Sequence, residues 1–137
     1  MSQIAPHINF NGTCREAMTF YQQCLGGELT LHPVAGSPMA DMVPAEAANN
    51  IPHAVLVSGT STLLGSDMMT GRIEQGNNMT VSVDCGSNLE INHLYAALAE
   101  GGHITHALKA EFWGATFGTL TDQFGTKWMF NHDTAQH

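Results

Sequence analysis

Basic residues are scarce in this 137-residue chain: four Lys and Arg stand against twelve Asp and Glu, for a formal charge of −8. A surface of that sign repels phosphate, so nucleic acid is not an expected partner. Anionic membrane surfaces are disfavoured for the same reason. Long apolar runs are also missing, and none approaches the roughly 18–20 residues that cross a bilayer. The opening Met1-Ser2-Gln3-Ile4-Ala5-Pro6-His7 has no basic stretch followed by an apolar one, so no signal peptide is expected. Cysteine is sparse and odd in number, with Cys14, Cys24 and Cys85 at spacings that fit no zinc or redox motif. Free, buried thiols in a reducing cytoplasm are the expectation. No nucleophile motif, phosphate loop or dinucleotide fingerprint is visible.

What remains is an ordinary apolar share, 43 %, enough for one packed core over residues 1–137. Ile8 and Phe10 alternate with His7 and Asn9, which predicts a half-buried strand. Asn11-Gly12 turns the chain, and Thr13-Cys14-Arg15-Glu16 has the form of a capping box. Ala17, Phe20, Tyr21, Cys24 and Leu25 recur at helical spacing, and Gly26-Gly27 ends that helix. Strands are predicted near Glu28–Val34, Pro52–Ser58 and Thr62–Met69, with a turn at Gly59-Thr60-Ser61. Between the first two of these, Ala35 to Asn50 reads as a loop rich in Pro, Ala, Met and Asn.

The pattern then starts again. Met79, Val81, Val83 and Cys85 alternate with Asn78, Thr80, Ser82 and Asp84. Ser87-Asn88-Leu89-Glu90 is a second capping box, and Leu89, Leu94, Tyr95 and Leu98 carry a helical face closed by Gly101-Gly102. Strands near His103–Lys109, Thr116–Thr121 and Lys127–His132 follow. Thr13, Glu16 and Tyr21 match Ser87, Glu90 and Tyr95 at an offset of 74, and the glycine pairs match at 75. Two unrelated capped helices in an α+β domain would give the same features singly. Their common order favours a duplication: two βαβββ modules, at about 4–70 and 78–132, with one helix on each sheet. Two such sheets side by side form a cup, with His7, Asn9, Asn78, Thr80 and Ser82 on its inner wall and a ligand cleft within.

With that pattern, the chain resembles the vicinal oxygen chelate superfamily, which holds type I glyoxalases, extradiol dioxygenases and fosfomycin- and bleomycin-resistance proteins. The PhnB-like branch is the closer likeness. It is carried by Pro6, Phe10-Asn11-Gly12, Ala17-Met18-Thr19-Phe20-Tyr21 and Leu25-Gly26-Gly27, by Gly65-Ser66-Asp67, and by the run from Glu111 to Gly118. Thr121-Asp122-Gln123-Phe124-Gly125 and Trp128-Met129 complete it. The resemblance implies cupped mixed sheets, a homodimer and a small-molecule ligand. In the superfamily's metal-dependent members it also implies four strand-borne ligands to a divalent metal. His7 takes the first-strand ligand position. Asp67 lies on the last strand of the first module, expected to face the same way as His7 but somewhat beyond its ligand position. Asn78 stands where a His is expected, and Met129 where a Glu is, with Asn131 next on that face. His7 reads equally as an ordinary surface histidine, and Asp67 as a strand-end turn residue.

Such a ligand set is damaged, since zinc, nickel or iron takes about three or more His, carboxylate or thiolate ligands. His7 and Asp67 remain the candidate metal ligands, and His7 and Glu111 the candidate bases. Trp113 and Phe117, on the loop after Glu111, are placed to stack on a flat ligand; loop packing or a dimer contact is the competing reading. His103 and His106, three apart on one strand, are expected on opposite faces. His132 is expected in solvent. The functional expectation is a cytoplasmic, small-molecule-binding member of this superfamily lacking a complete metal site. A metal-dependent lyase, isomerase or resistance-type enzyme is the alternative.

Overall fold

The computed structural model describes residues 2–33, 50–68, 73–74 and 76–133. The predicted loop from Ala35 to Asn50 lies outside these residues except for Asn50, and Met39, Met42, Met69 and His137 lie outside them too. The chain divides into two compact units, Met1–Glu74 and Gln75–His137.

Unit one runs β1 (His7–Phe10), α1 (Cys14–Leu25), β2 (Glu28–His32), β3 (His53–Ser58) and β4 (Ser61–Asp67). Unit two runs β5 (Val81–Asp84), α2 (Asn88–Ala99), β6 (His103–Ala110), β7 (Ala115–Thr121) and β8 (Lys127–Asp133). The sheet orders are β1-β4-β3-β2 and β5-β8-β7-β6. In each, the first strand lies parallel to the last and the other pairs are antiparallel. The duplicated βαβββ module predicted from the sequence is therefore the fold.

Each helix packs on one face of its own sheet. Phe10, Ala54, Leu56 and Leu63 meet the α1 side chains Ala17, Met18, Tyr21 and Cys24 in the first core. Leu120, Trp128 and Phe130 meet Ile91, Tyr95 and Leu98 in the second. A fully buried side chain of this size contributes about 1.5–3 kcal/mol by leaving water. Leu89, expected on the helical face, is 82 % exposed. The buried stripe of α2 starts at Ile91 instead, and Leu89 in the first turn points away from the sheet.

The two predicted capping boxes part ways. Ser87 has the extended backbone an N-cap needs, and its hydroxyl accepts from the Glu90 amide at 3.1 Å while Glu90 Oε1 accepts from the Gly86 amide at 2.8 Å. Thr13 sits at φ −109°, ψ 10°, and makes no side-chain cap. Asp67 supplies that end of α1 in its place, accepting from the Gly12 and Cys14 amides at 2.8 and 2.9 Å.

Cys14, Cys24 and Cys85 are free and buried. Burial, with Asp67 adding to it and Arg15 partly offsetting it, pushes the Cys14 thiol up to about 12. Burial, then Glu90 and Asp84, pushes the Cys85 thiol up to about 11. Both stay protonated near neutral pH and are poor nucleophiles there.

Candidate functional site

The sheet faces turned away from the helices carry the candidate residues. In unit one, strand alternation sends Ile8 and Phe10 to the α1 side and His7 and Asn9 to the other. β4 lies in parallel register, Asn9 opposite Ser66. The Ser66 hydroxyl lies 2.9 Å from His7 Nε2 and donates to Asn9 Oδ1 at 3.3 Å. His7 and Asn9 thus stand side by side, bridged by a serine that the sequence reading used only as part of the family likeness. Further along the same face His32 and His53 are cross-strand partners, their rings 5.6 Å apart and stacked.

Asp67 does not join them. It alternates with Ser66 and points to the α1 side, where it is 4 % exposed. Its Oδ2 accepts from the Ile51 amide at 2.9 Å, in addition to the two amides at the start of α1. The expectation that it faces the same way as His7 is corrected, and its carboxylate is fully engaged with backbone.

In unit two the register aligns Val81 and Val83 with Trp128 and Phe130, as Ile8 and Phe10 align with Gly65 and Asp67. The offset of 75 that matches the glycine pairs makes Ser82 the repeat equivalent of His7, and Asn131 that of Ser66, since Asp84 pairs with Asn131 as Asn9 pairs with Ser66. Asn78, placed on this strand by the sequence, sits instead in an exposed bend before β5, and Met79 beside it is 80 % exposed. The first-strand and last-strand positions on this face therefore hold His7 and Ser66 in unit one, and Ser82 and Asn131 in unit two. Neither an imidazole with a hydroxyl nor a hydroxyl with an amide fits a zinc, nickel or iron ion. Among the described residues, no group of three or more His, Cys, Asp or Glu side chains is gathered that would hold a metal.

The β6–β7 hairpin builds a second cluster on the face away from α2. Gly118 lies against Tyr95 of α2, so its neighbour Phe117 points the other way. The loop closes through Glu111 N donating to Ala115 O at 2.7 Å and Gly114 N to Glu111 O at 3.1 Å, with Gly114 at φ +90°. That left-handed turn is where glycine is at ease. The loop presents Phe112 and Trp113, 95 % and 52 % exposed. The Trp113 ring lies edge-on to Phe117 at 5.9 Å and to Phe112 at 5.1 Å. On the other side of Phe117, at 5.6 Å, is the His106 ring, whose Nε2 lies 2.8 Å from Glu111 Oε1.

His106 reaches this face because β6 is irregular. His103 pairs with Thr121 and Ile104 with Leu120, but His106 pairs with Thr119. One extra residue, Thr105, breaks the alternation, as bulges on edge strands do. The register thus puts His103 and His106 on one face, where simple alternation predicted opposite faces. The Tyr95 hydroxyl holds the bulge, donating to the His106 carbonyl at 2.8 Å. His132, expected in solvent, is half-buried with Nδ1 2.9 Å from the Cys85 carbonyl.

The doubled β1-β4-β3-β2 arrangement is the glyoxalase/bleomycin resistance-type fold. A lactoylglutathione lyase from Agrobacterium tumefaciens shares that fold at a TM-score of 0.60 and 15 % identity, over 98 % of this chain and 96 % of that one. The profile of the family described as 3-demethylubiquinone-9 3-methyltransferase matches residues 2–130, and the chain belongs to that PhnB-like family. Protein PA1353 from Pseudomonas aeruginosa is 40 % identical with a TM-score of 0.87, over 97 % of this chain and 98 % of that one. Protein YjdN of Escherichia coli K12 is 30 % identical over 138 residues, 93 % of each chain. The resemblance read from the sequence and the fold it implied are both correct.

Proposed function

We propose that the protein binds a small, flat molecule and does so without a complete catalytic metal site. The observation that carries this reading is the cluster on the second sheet: an exposed Trp113 against Phe117, beside the paired His106 and Glu111. Aromatic walls with a few convergent polar groups are how small-ligand sites are built. The donors at the strand positions, His7 with Ser66 in unit one and Ser82 with Asn131 in unit two, support the second half of the proposal. Methyl transfer, which the family's description names, is not proposed: the sequence has no glycine-rich strand–loop–helix for a nucleoside cofactor. The retained imidazole of His7 favours a second reading, a metal-dependent lyase, isomerase or resistance-type enzyme.

The test uses protein purified without chelator. Metal analysis is expected to find no stoichiometric zinc, nickel or iron; a full equivalent lost on His7→Ala would overturn the non-metal reading. Titration with flat aromatic compounds is expected to quench Trp113, and Trp113→Ala to weaken binding about tenfold or more, the scale of a lost stacking contact. Buried Trp128 serves as the unresponsive reference. Saturable binding that ignores Trp113→Ala would put the site elsewhere. The setting proposed for this activity is a cytoplasmic homodimer, following the superfamily's habit, and sedimentation at the mass of one chain would remove the dimer from it.

A further inference from the structure

We propose that His106 and Glu111 form a proton-accepting pair for an acidic hydroxyl carried on the flat ligand, a phenol or an enol. The inference rests on the binding reading above and names the chemical class that the site takes.

The argument starts from which nitrogen is engaged. A carboxylate only accepts hydrogen bonds, so the 2.8 Å contact makes Nε2 of His106 the N–H donor to Glu111. In the neutral ring the other nitrogen, Nδ1, is then a bare acceptor. No hydrogen-bond partner for Nδ1 is found among the described residues. Glu111 is the more buried of the two, 14 % exposed against 41 % for His106, so the anion lies behind the ring and the ring lies toward solvent. A carboxylate behind an imidazole fixes its tautomer and stabilises the imidazolium that forms when the other nitrogen takes a proton.

The surroundings fit the same ligand. The Phe117 ring flanks the imidazole at 5.6 Å, and Trp113 extends the aromatic wall. Thr105 and Thr119 are polar neighbours on this face, their hydroxyls 2.6 Å apart and bonded to each other, and Asn131 lies opposite Phe117 in the register. Lys109, the register partner of Phe117, adds a cation to the face, and Glu111 is the anion bonded to the ring. A neutral phenol stacked here gives up its hydroxyl proton to Nδ1: the O–H bond breaks, an N–H bond forms, and the products are phenolate and imidazolium. The charge-assisted hydrogen bond between them is stronger than a neutral one.

The experiment compares 4-nitrophenol with 4-nitroanisole, two probes of one shape of which only the first has an acidic hydroxyl. Both are titrated below the pH at which free 4-nitrophenol ionises. The phenol is expected to bind about tenfold tighter, the scale of one charge-assisted hydrogen bond. Its bound spectrum is expected to show the phenolate band. Glu111→Gln and His106→Gln are expected to abolish the band and to bring the ratio of phenol to anisole affinity down to about one. Equal binding of the two probes with no phenolate band overturns the proposal and leaves the binding reading intact. A band that survives both variants overturns the assignment to this pair. If neither probe binds and Trp113 fluorescence does not move, the binding reading falls as well. The wild-type comparison decides the first point even if a variant folds poorly.

Discussion

Asp67→Ala is expected to lower the stability of the protein by about 3–5 kcal/mol, because it strands several buried backbone donors at once. The Asp67 carboxylate accepts from three amides at 2.8–2.9 Å: Gly12 and Cys14 at the start of α1, and Ile51 at the approach to β3. None of the three has a nearby alternative of the usual kind, since Thr13 does not cap the helix. An anion at a helix N-terminus also meets the positive end of the helix dipole. Asp67→Asn keeps one acceptor oxygen but turns an N–H₂ group toward donors, so it is expected to recover only part of the loss. Urea unfolding followed by circular dichroism measures both. A loss below about 1 kcal/mol for Asp67→Ala would mean that water or a neighbouring side chain replaces the carboxylate.

The second large effect is expected at the glycine that each repeat places after its helix. A Cβ on Gly27 would stand 2.2 Å from the Val57 carbonyl oxygen, and a Cβ on Gly102 would stand 2.2 Å from the Thr121 carbonyl oxygen. Backbone cannot step aside as a flexible side chain can. Gly27→Ala and Gly102→Ala are each expected to cost about 3 kcal/mol or more, at the upper end of overpacking penalties. Gly26 is the internal control: it has φ +78° but open space around its Cβ position. Gly26→Ala should cost only the backbone strain of φ +78°, ψ −174°, a region essentially reserved for glycine, about 1–3 kcal/mol. Thermal melts of the three variants rank them. Gly102→Ala melting no lower than Gly26→Ala would show that the close approach yields.

These positions mark what could be read in advance. Both helices, the duplicated module and the family itself were legible, because period and glycine pairs are local signals. The direction of Asp67 was not. Its role depends on three amides brought to it from residues 12, 14 and 51 by tertiary packing, and no window of sequence holds them together. Thr13 failed as a cap for a related reason, since the sequence shows the side chain but not the backbone angles it needs. Asn78 was misplaced because alternation alone does not say where a strand begins. His106 was dismissed on strict alternation, and the bulge at Thr105 carries no glycine or proline to announce it. His7 and Asn9, by contrast, lie side by side as their spacing implied.

The bulge in β6 makes the hairpin a matter of chain length as much as of residue type. Removing Thr105 would leave Ile104 opposite Leu120 and His106 opposite Thr119 with no extra residue between them, so the imidazole would keep its face while the bulge that the Tyr95 hydroxyl holds would be gone. No single substitution does that. The variation to watch in this hairpin is insertion and deletion rather than replacement.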